Sequence, residues 1–276
     1  MQIGLNGSTT NQCNLIEDIE VATKAGFETL ELRTYKLDSY LEDHSVQELA
    51  ERFQESGVRP YAINSVEFFN MKPELEQQKM LQETERWCRI ASKIGCPYVI
   101  AVPSEAPEGT PKEDIIENTS QMLKRMGDIA AKHNVSIAFE FIGYKTFSVN
   151  ELKTADDIVS RADHSNVGLV LDAYHFFIGE SKLEDLEQLN KDKLFIFHID
   201  DAEEVPEEER TEANRVFPTL GIIPLRDIGK TLERIGYDGV ASLELFREEY
   251  WNMDKQECAN TAYYYVEKAL HEMTST

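Results

Sequence analysis

Four short apolar runs each carry one side chain able to ligate a metal. Glu140 lies in Ile137-Ala138-Phe139-Glu140-Phe141, and Asp172 ends Val167-Gly168-Leu169-Val170-Leu171-Asp172. His198 lies in Phe195-Ile196-Phe197-His198-Ile199-Asp200, and Glu244 in Ala241-Ser242-Leu243-Glu244-Leu245. A carboxylate in such surroundings is costly to bury unless it is paired or coordinated. Taken singly, each reads as a buried polar group satisfied by hydrogen bonds. Taken together, three carboxylates and one imidazole form a mostly oxygen donor set for one divalent ion, Mn²⁺, Mg²⁺, Co²⁺ or Zn²⁺, rather than an ion that seeks thiolates.

Something must bring these four residues to one point, and the alternation along the chain supplies it. Candidate strands are Gln2–Asn6, Thr29–Arg33, Pro60–Asn64, Tyr98–Pro103, Ser136–Phe141, Gly168–Asp172, Leu194–Asp200 and Val240–Leu245, eight in all. Between and after them run segments with apolar residues at three-to-four spacing, as in Met80 through Ile94 and Ile115 through Ala131. Gly26, Gly57, Gly95 and Gly236 follow such segments and read as helix stops, because glycine tolerates the left-handed conformation just past a helix end. Eight strand-helix units predict a single-domain (β/α)8 TIM barrel over residues 1–276. In a barrel, alternate strand residues point inward and sites assemble at the C-terminal face, so four consecutive strands would aim Glu140, Asp172, His198 and Glu244 at one place. The rival, an open doubly wound sheet, lacks its usual GxGxxG and GxxxxGK[ST] fingerprints here.

Composition narrows the partners. With 28 Lys and Arg against 51 Asp and Glu, the formal net charge is −23, which opposes phosphate-backbone binding and anionic membranes. No apolar stretch approaches the ~20 residues needed to span a bilayer. The four cysteines, Cys13, Cys88, Cys96 and Cys258, show no CxxC spacing, and the first residues lack the pattern of a signal peptide. The expected setting is a reducing cytoplasm, with a small-molecule substrate, no nucleic acid, no membrane, and room for a homo-oligomer.

The segments Ala138-Phe139-Glu140-Phe141, Gly168 through Phe176, Phe197-His198-Ile199-Asp200-Asp201 and Ser242 through Arg247 resemble the xylose-isomerase-like sugar isomerase/epimerase barrels. Within that group, strings such as Asp43-His44-Ser45, Phe68-Phe69-Asn70 and Val102-Pro103 are most similar to the inosose (2-keto-myo-inositol) isomerases. The resemblance implies a metal-dependent isomerase acting on a keto-inositol or ketose, with Glu140, Asp172, His198 and Glu244 as ligands. It implies that His175 and Arg215 reach substrate oxygens, and it leads to the expectation that Glu140 and Glu244 also move the proton. Ketose 3-epimerisation, aldose–ketose isomerisation, dehydration of 3-dehydroshikimate and a non-catalytic sugar- or metal-binding barrel are the alternatives. One departure stands out: such barrels usually follow Arg-x-x-Pro with Gly-x-Gly, whereas this chain has Pro218-Thr219-Leu220-Gly221. Threonine takes a positive φ less cheaply than glycine, which puts the aim of Arg215 in question.

Asn64, at the end of the third candidate strand, is suited either to bond a substrate hydroxyl or to cap the strand. Glu31 reads as the partner of Arg33, two residues along. Lys145 is either an acid above the fifth strand or a solvated lysine. Tyr263, Tyr264 and Tyr265 read as packing, and His44, His133, His164 and His271 carry no functional expectation.

Overall fold

A computed structural model describes residues 1–274 of the chain. The elements are β1 (Gln2–Asn6), α1 (Leu15–Ala25), β2 (Thr29–Arg33), α2 (Thr34–Asp43), α3 (Val46–Ser56), β3 (Arg59–Glu67), α4 (Glu74–Ile94), β4 (Tyr98–Val102), α5 (Lys112–Lys132), β5 (Ser136–Glu140) and α6 (Leu152–Ala162). They continue with β6 (Val167–Asp172), α7 (Ala173–Ile178), α8 (Leu183–Glu187), β7 (Leu194–Ile199), β8 (Asp201–Ala202), β9 (Arg215–Val216), α9 (Leu225–Ile235), β10 (Val240–Leu243), α10 (Glu248–Trp251) and α11 (Lys255–Thr274). Eight parallel strands close in the order β1-β10-β7-β6-β5-β4-β3-β2, while β8 and β9 form a separate antiparallel ribbon. Among the described residues, no helix is long and apolar enough to cross a membrane.

The expected barrel is therefore present, with local differences. β3 runs on to Glu67 instead of ending at Asn64. The helix α2 follows β2 without an intervening turn and is an element not expected from the apolar spacing. The four glycine stops hold: Gly26, Gly57, Gly95 and Gly236 sit at φ 98°, 78°, 75° and 79°. At the other helix ends, Asn14 with Glu17 and Ser45 with Glu48 form capping boxes that satisfy the first free N–H groups of α1 and α3.

Burial falls into two compartments. Ala62, Ile100, Ala138, Val170 and Ile196 fill the barrel interior, and a larger shell joins strands to helices. Four of these five lie two positions before a polar residue at the C-terminal mouth: Ala62 before Asn64, Ala138 before Glu140, Val170 before Asp172 and Ile196 before His198. The period of two thus seats a layer of polar side chains directly on an apolar plug. Across the sheet, Asp172 is in register with His198, and His198 with Ser242, two residues before Glu244.

Candidate metal centre and active site

The strand ends bring the four expected residues together. One ligand atom from each of Glu140, Asp172, His198 and Glu244 lies within 4.8 Å of the others, and all four residues are buried. The imidazole Nδ1 of His198 is 2.9 Å from Glu140 Oε1, 3.1 Å from Glu244 Oε2 and 3.6 Å from Asp172 Oδ2. A single ring nitrogen cannot satisfy three carboxylates. Their convergence in a buried spot is the arrangement that an oxygen-seeking divalent cation satisfies, so the donor set fits one metal ion.

The charges around the cluster set its protonation. Burial pushes the Glu140 carboxyl up to about 7, with the nearby carboxylates adding to the shift and His198 opposing it. Burial also acts against ionised Glu244, but His198, Arg215 and Arg33 bring it down to about 2. Asp172 resists its own burial in the same way, held well below the usual carboxylate range by Arg215, His175 and His198. Burial disfavours charged His198, yet Glu31, Glu244 and Glu140 hold its pKa well above the ordinary histidine value.

Glu244 is gripped from the first half of the barrel. Its Oε1 accepts from Asn6 Nδ2 at 3.0 Å, Asn64 Nδ2 at 3.1 Å and Arg33 Nη1 at 3.2 Å. This corrects two expectations. Asn64 does not cap a strand end, since β3 continues past it. Arg33 does not pair with Glu31; strand alternation turns both inward, where both Glu31 oxygens approach His198 Nε2, at 3.1 and 3.2 Å.

Arg215 is fully buried. Its Nη1 binds Asp172 Oδ2 at 2.5 Å and also Asp200, Nε binds Glu212 Oε2 at 2.7 Å, and Nη2 lies 3.0 Å from His175 Nε2. A guanidinium only donates, so His175 Nε2 accepts and the proton of the neutral ring sits on Nδ1. Burial keeps His175 below its ordinary pKa, and its buried Nδ1 has no partner. His175 packs edge-on against Tyr174 and Tyr144. Its backbone N–H is received by Asp172 Oδ1 at 2.7 Å, so Asp172 caps α7 with one oxygen and faces the cluster with the other.

The departure at Thr219 has a concrete outcome. Thr219 adopts φ 75°, so the loop follows a left-handed path without glycine there. Asp201 accepts the N–H groups of Gly221 and Ile223 at 2.9 and 2.8 Å and fastens that loop to the β8–β9 ribbon, which carries Arg215. Lys145 is exposed and pairs with Glu207 across the mouth loops, the solvated alternative. Tyr263 and Tyr265 pack on Phe27 and Phe217.

Glu140 and Glu244 line a cavity of ≈ 390 Å³ together with Asn64, His175 and Arg215. Phe68, Tyr144, Phe147 and Phe246 complete its wall with aromatic surface. Asp172 and His198 are wholly buried beside it.

The family described as the xylose isomerase-like TIM barrel matches residues 19–264. The chain belongs to that family. Within this xylose isomerase-like group, an inosose isomerase of Bacillus licheniformis is 39% identical over 264 residues, 95% of each chain. An inosose isomerase of Bacillus velezensis is 38% identical over 264 residues, 95% of this chain and 94% of its own. A crystal structure of the IolI protein with a bound zinc atom is 36% identical, covers 100% of both chains and superposes with a TM-score of 0.96. Sequence reading missed Glu31, Asn6, Arg33 and Asp200 as members of this site. Glu31 carried the same signal as Glu140, a carboxylate inside an apolar run, but the nearby arginine offered a simpler explanation.

Proposed function

We propose that this chain is an inosose isomerase, moving the ketone of a keto-inositol by one ring carbon. The observation that carries the proposal is the convergence of Glu140, Asp172, His198 and Glu244 at a cavity sized for one small polyol. Near-full-length similarity to inosose isomerases supports the substrate.

When bound by these four residues, a divalent ion supplies Lewis acidity to the adjacent carbonyl and hydroxyl oxygens of a hydroxy-ketone. The chain supplies the proton movements. Glu244, ionised and held on one oxygen by Asn6, Asn64 and Arg33, is placed to take the proton from the carbon beside the carbonyl. Glu140, with its proton affinity raised by burial, is placed to return one at the neighbouring carbon, while the hydroxyl proton passes to the former carbonyl oxygen. In the reverse direction the two exchange roles. Asp172 and His198, shut away from the cavity, hold the ion. His175 offers its unpartnered Nδ1–H to a substrate oxygen, and Arg215 fixes the ring that does so.

Proton NMR in D2O with 2-keto-myo-inositol tests this. Metal-loaded protein is expected to incorporate deuterium and form a second keto-inositol. Glu140→Gln and Glu244→Gln should each lower exchange by at least ~10²-fold, within the range of general acid-base catalysis. Full exchange in both variants would remove them from the mechanism. Exchange into a ketose in place of the keto-inositol would keep the site and change the substrate.

A further inference from the structure

Glu31 lies on β2, and His198 on β7, two strands that are not neighbours in the barrel. Their side chains nevertheless meet across the interior, with both Glu31 oxygens within 3.2 Å of His198 Nε2. Glu31 is 1% exposed and His198 0%. The opposite ring nitrogen, Nδ1, faces the carboxylates of Glu140, Glu244 and Asp172. The nearby cation that would compete for Glu31, Arg33, is spent on Glu244 at 3.2 Å.

From this geometry we infer that Glu31 is a positioning residue for the metal: it receives the Nε2–H of His198 and so leaves Nδ1 as the donor. A neutral imidazole has one proton and one lone pair, and the group that accepts the proton decides which nitrogen can ligate. A carboxylate behind a ligating histidine also makes the ring a stronger base and locks its orientation. The inference rests on the metal-site reading above. It adds that the first half of the barrel, which contributes none of the four ligands, controls the tautomer of one of them.

Removing such an outer partner typically weakens metal binding by about 10- to 100-fold. Zinc affinity, measured by competition with a chromophoric chelator in wild type, Glu31→Gln and Glu31→Ala, reads this directly. Glu31→Gln keeps an acceptor without the charge and is expected to lose roughly tenfold, with Glu31→Ala nearer to 100-fold. The melting temperature of each metal-free variant separates a packing defect from a ligand defect. A folded variant with wild-type zinc affinity overturns the inference.

A second measurement does not depend on any variant. In zinc-loaded wild-type protein with ¹⁵N-labelled histidine, the His198 proton is expected on Nε2 and the metal on Nδ1. The opposite tautomer overturns the inference even if neither variant folds. Failure of wild-type protein to bind zinc at all would defeat the metal-site reading itself, and this inference with it.

Discussion

Arg215 gathers several carboxylates of the site around one buried guanidinium. Its guanidinium joins Asp172, Asp200 and Glu212, and it also faces the rings of Tyr174 and Phe246 at 4.7 and 5.5 Å. Lysine offers one point charge and cannot span these partners. Truncation to alanine leaves Asp172 and Asp200 buried without their cation, a change that costs about 3–5 kcal/mol. Urea unfolding of metal-free Arg215→Ala at neutral pH should show that loss. The pH dependence follows from the sign of the Asp172 shift. Because its native pKa is depressed, its stabilising contribution is present above the ordinary value of 3.8 and is lost as pH falls below it. The gap between wild type and Arg215→Ala should therefore narrow in acid; a gap independent of pH would point to lost packing alone. The cluster of Glu140, Asp172, His198 and Glu244 was legible in the sequence because four strand ends repeat one pattern, a metal-ligating side chain in an apolar run, although none of them decides alone. Arg215's buried network was not, because its carboxylates come from β6, the β7–β8 junction and the acidic stretch before β9, and only folding assembles them.

At the scale of elements, the barrel followed from alternation and glycine stops, whereas α2, α7 and the β8–β9 ribbon did not. Each of these begins at or just after a strand end, with no polar turn to announce it, and α7 relies on Asp172 for its cap. The loop after the ribbon illustrates a local cost accepted for placement. A β-branched residue at φ 75° is strained, by about 1–2 kcal/mol for a left-handed residue, and Thr219 recovers part of this through a 3.0 Å hydrogen bond from Lys268. Glycine removes the strain but gains chain entropy in the unfolded state and forfeits that bond. Thr219→Gly is expected to gain roughly 0.5 kcal/mol net, raising the melting temperature by about 1–2 °C. Zinc affinity should stay unchanged, because Asp201 still fastens the loop. A drop in affinity would show that Thr219 itself sets the aim of Arg215.

For the whole molecule, the free cysteines report on the integrity of the core. All four are buried, and burial pushes Cys13 and Cys88 up to about 12 and Cys258 up to about 11, from an ordinary 9.0. Cys96, fully buried, is raised as well. A raised acid pKa gives stability that is intact below 9.0 and is lost as pH climbs toward the native value, since the unfolded chain then releases protons the native chain keeps. From about pH 9 upward the thiols should add their own fall in the free energy of urea unfolding, by up to about 1.4 kcal/mol per pH unit from Cys96 alone. Native protein at pH 8 should resist a disulfide reagent that titrates the unfolded chain; rapid labelling without denaturant would contradict the closed core.

The layout of the cavity also divides labour along the chain. Glu140, Asp172, His198 and Glu244 all follow the exposed Pro107–Gly109 connection, whereas Asn6, Glu31, Arg33 and Asn64, which steady them, all precede it. A chain nicked there would become a two-fragment complementation system. The second fragment would carry all four candidate ligands and the first their steadying partners, so zinc uptake, read with a chromophoric chelator, would gauge how two half-barrels find each other.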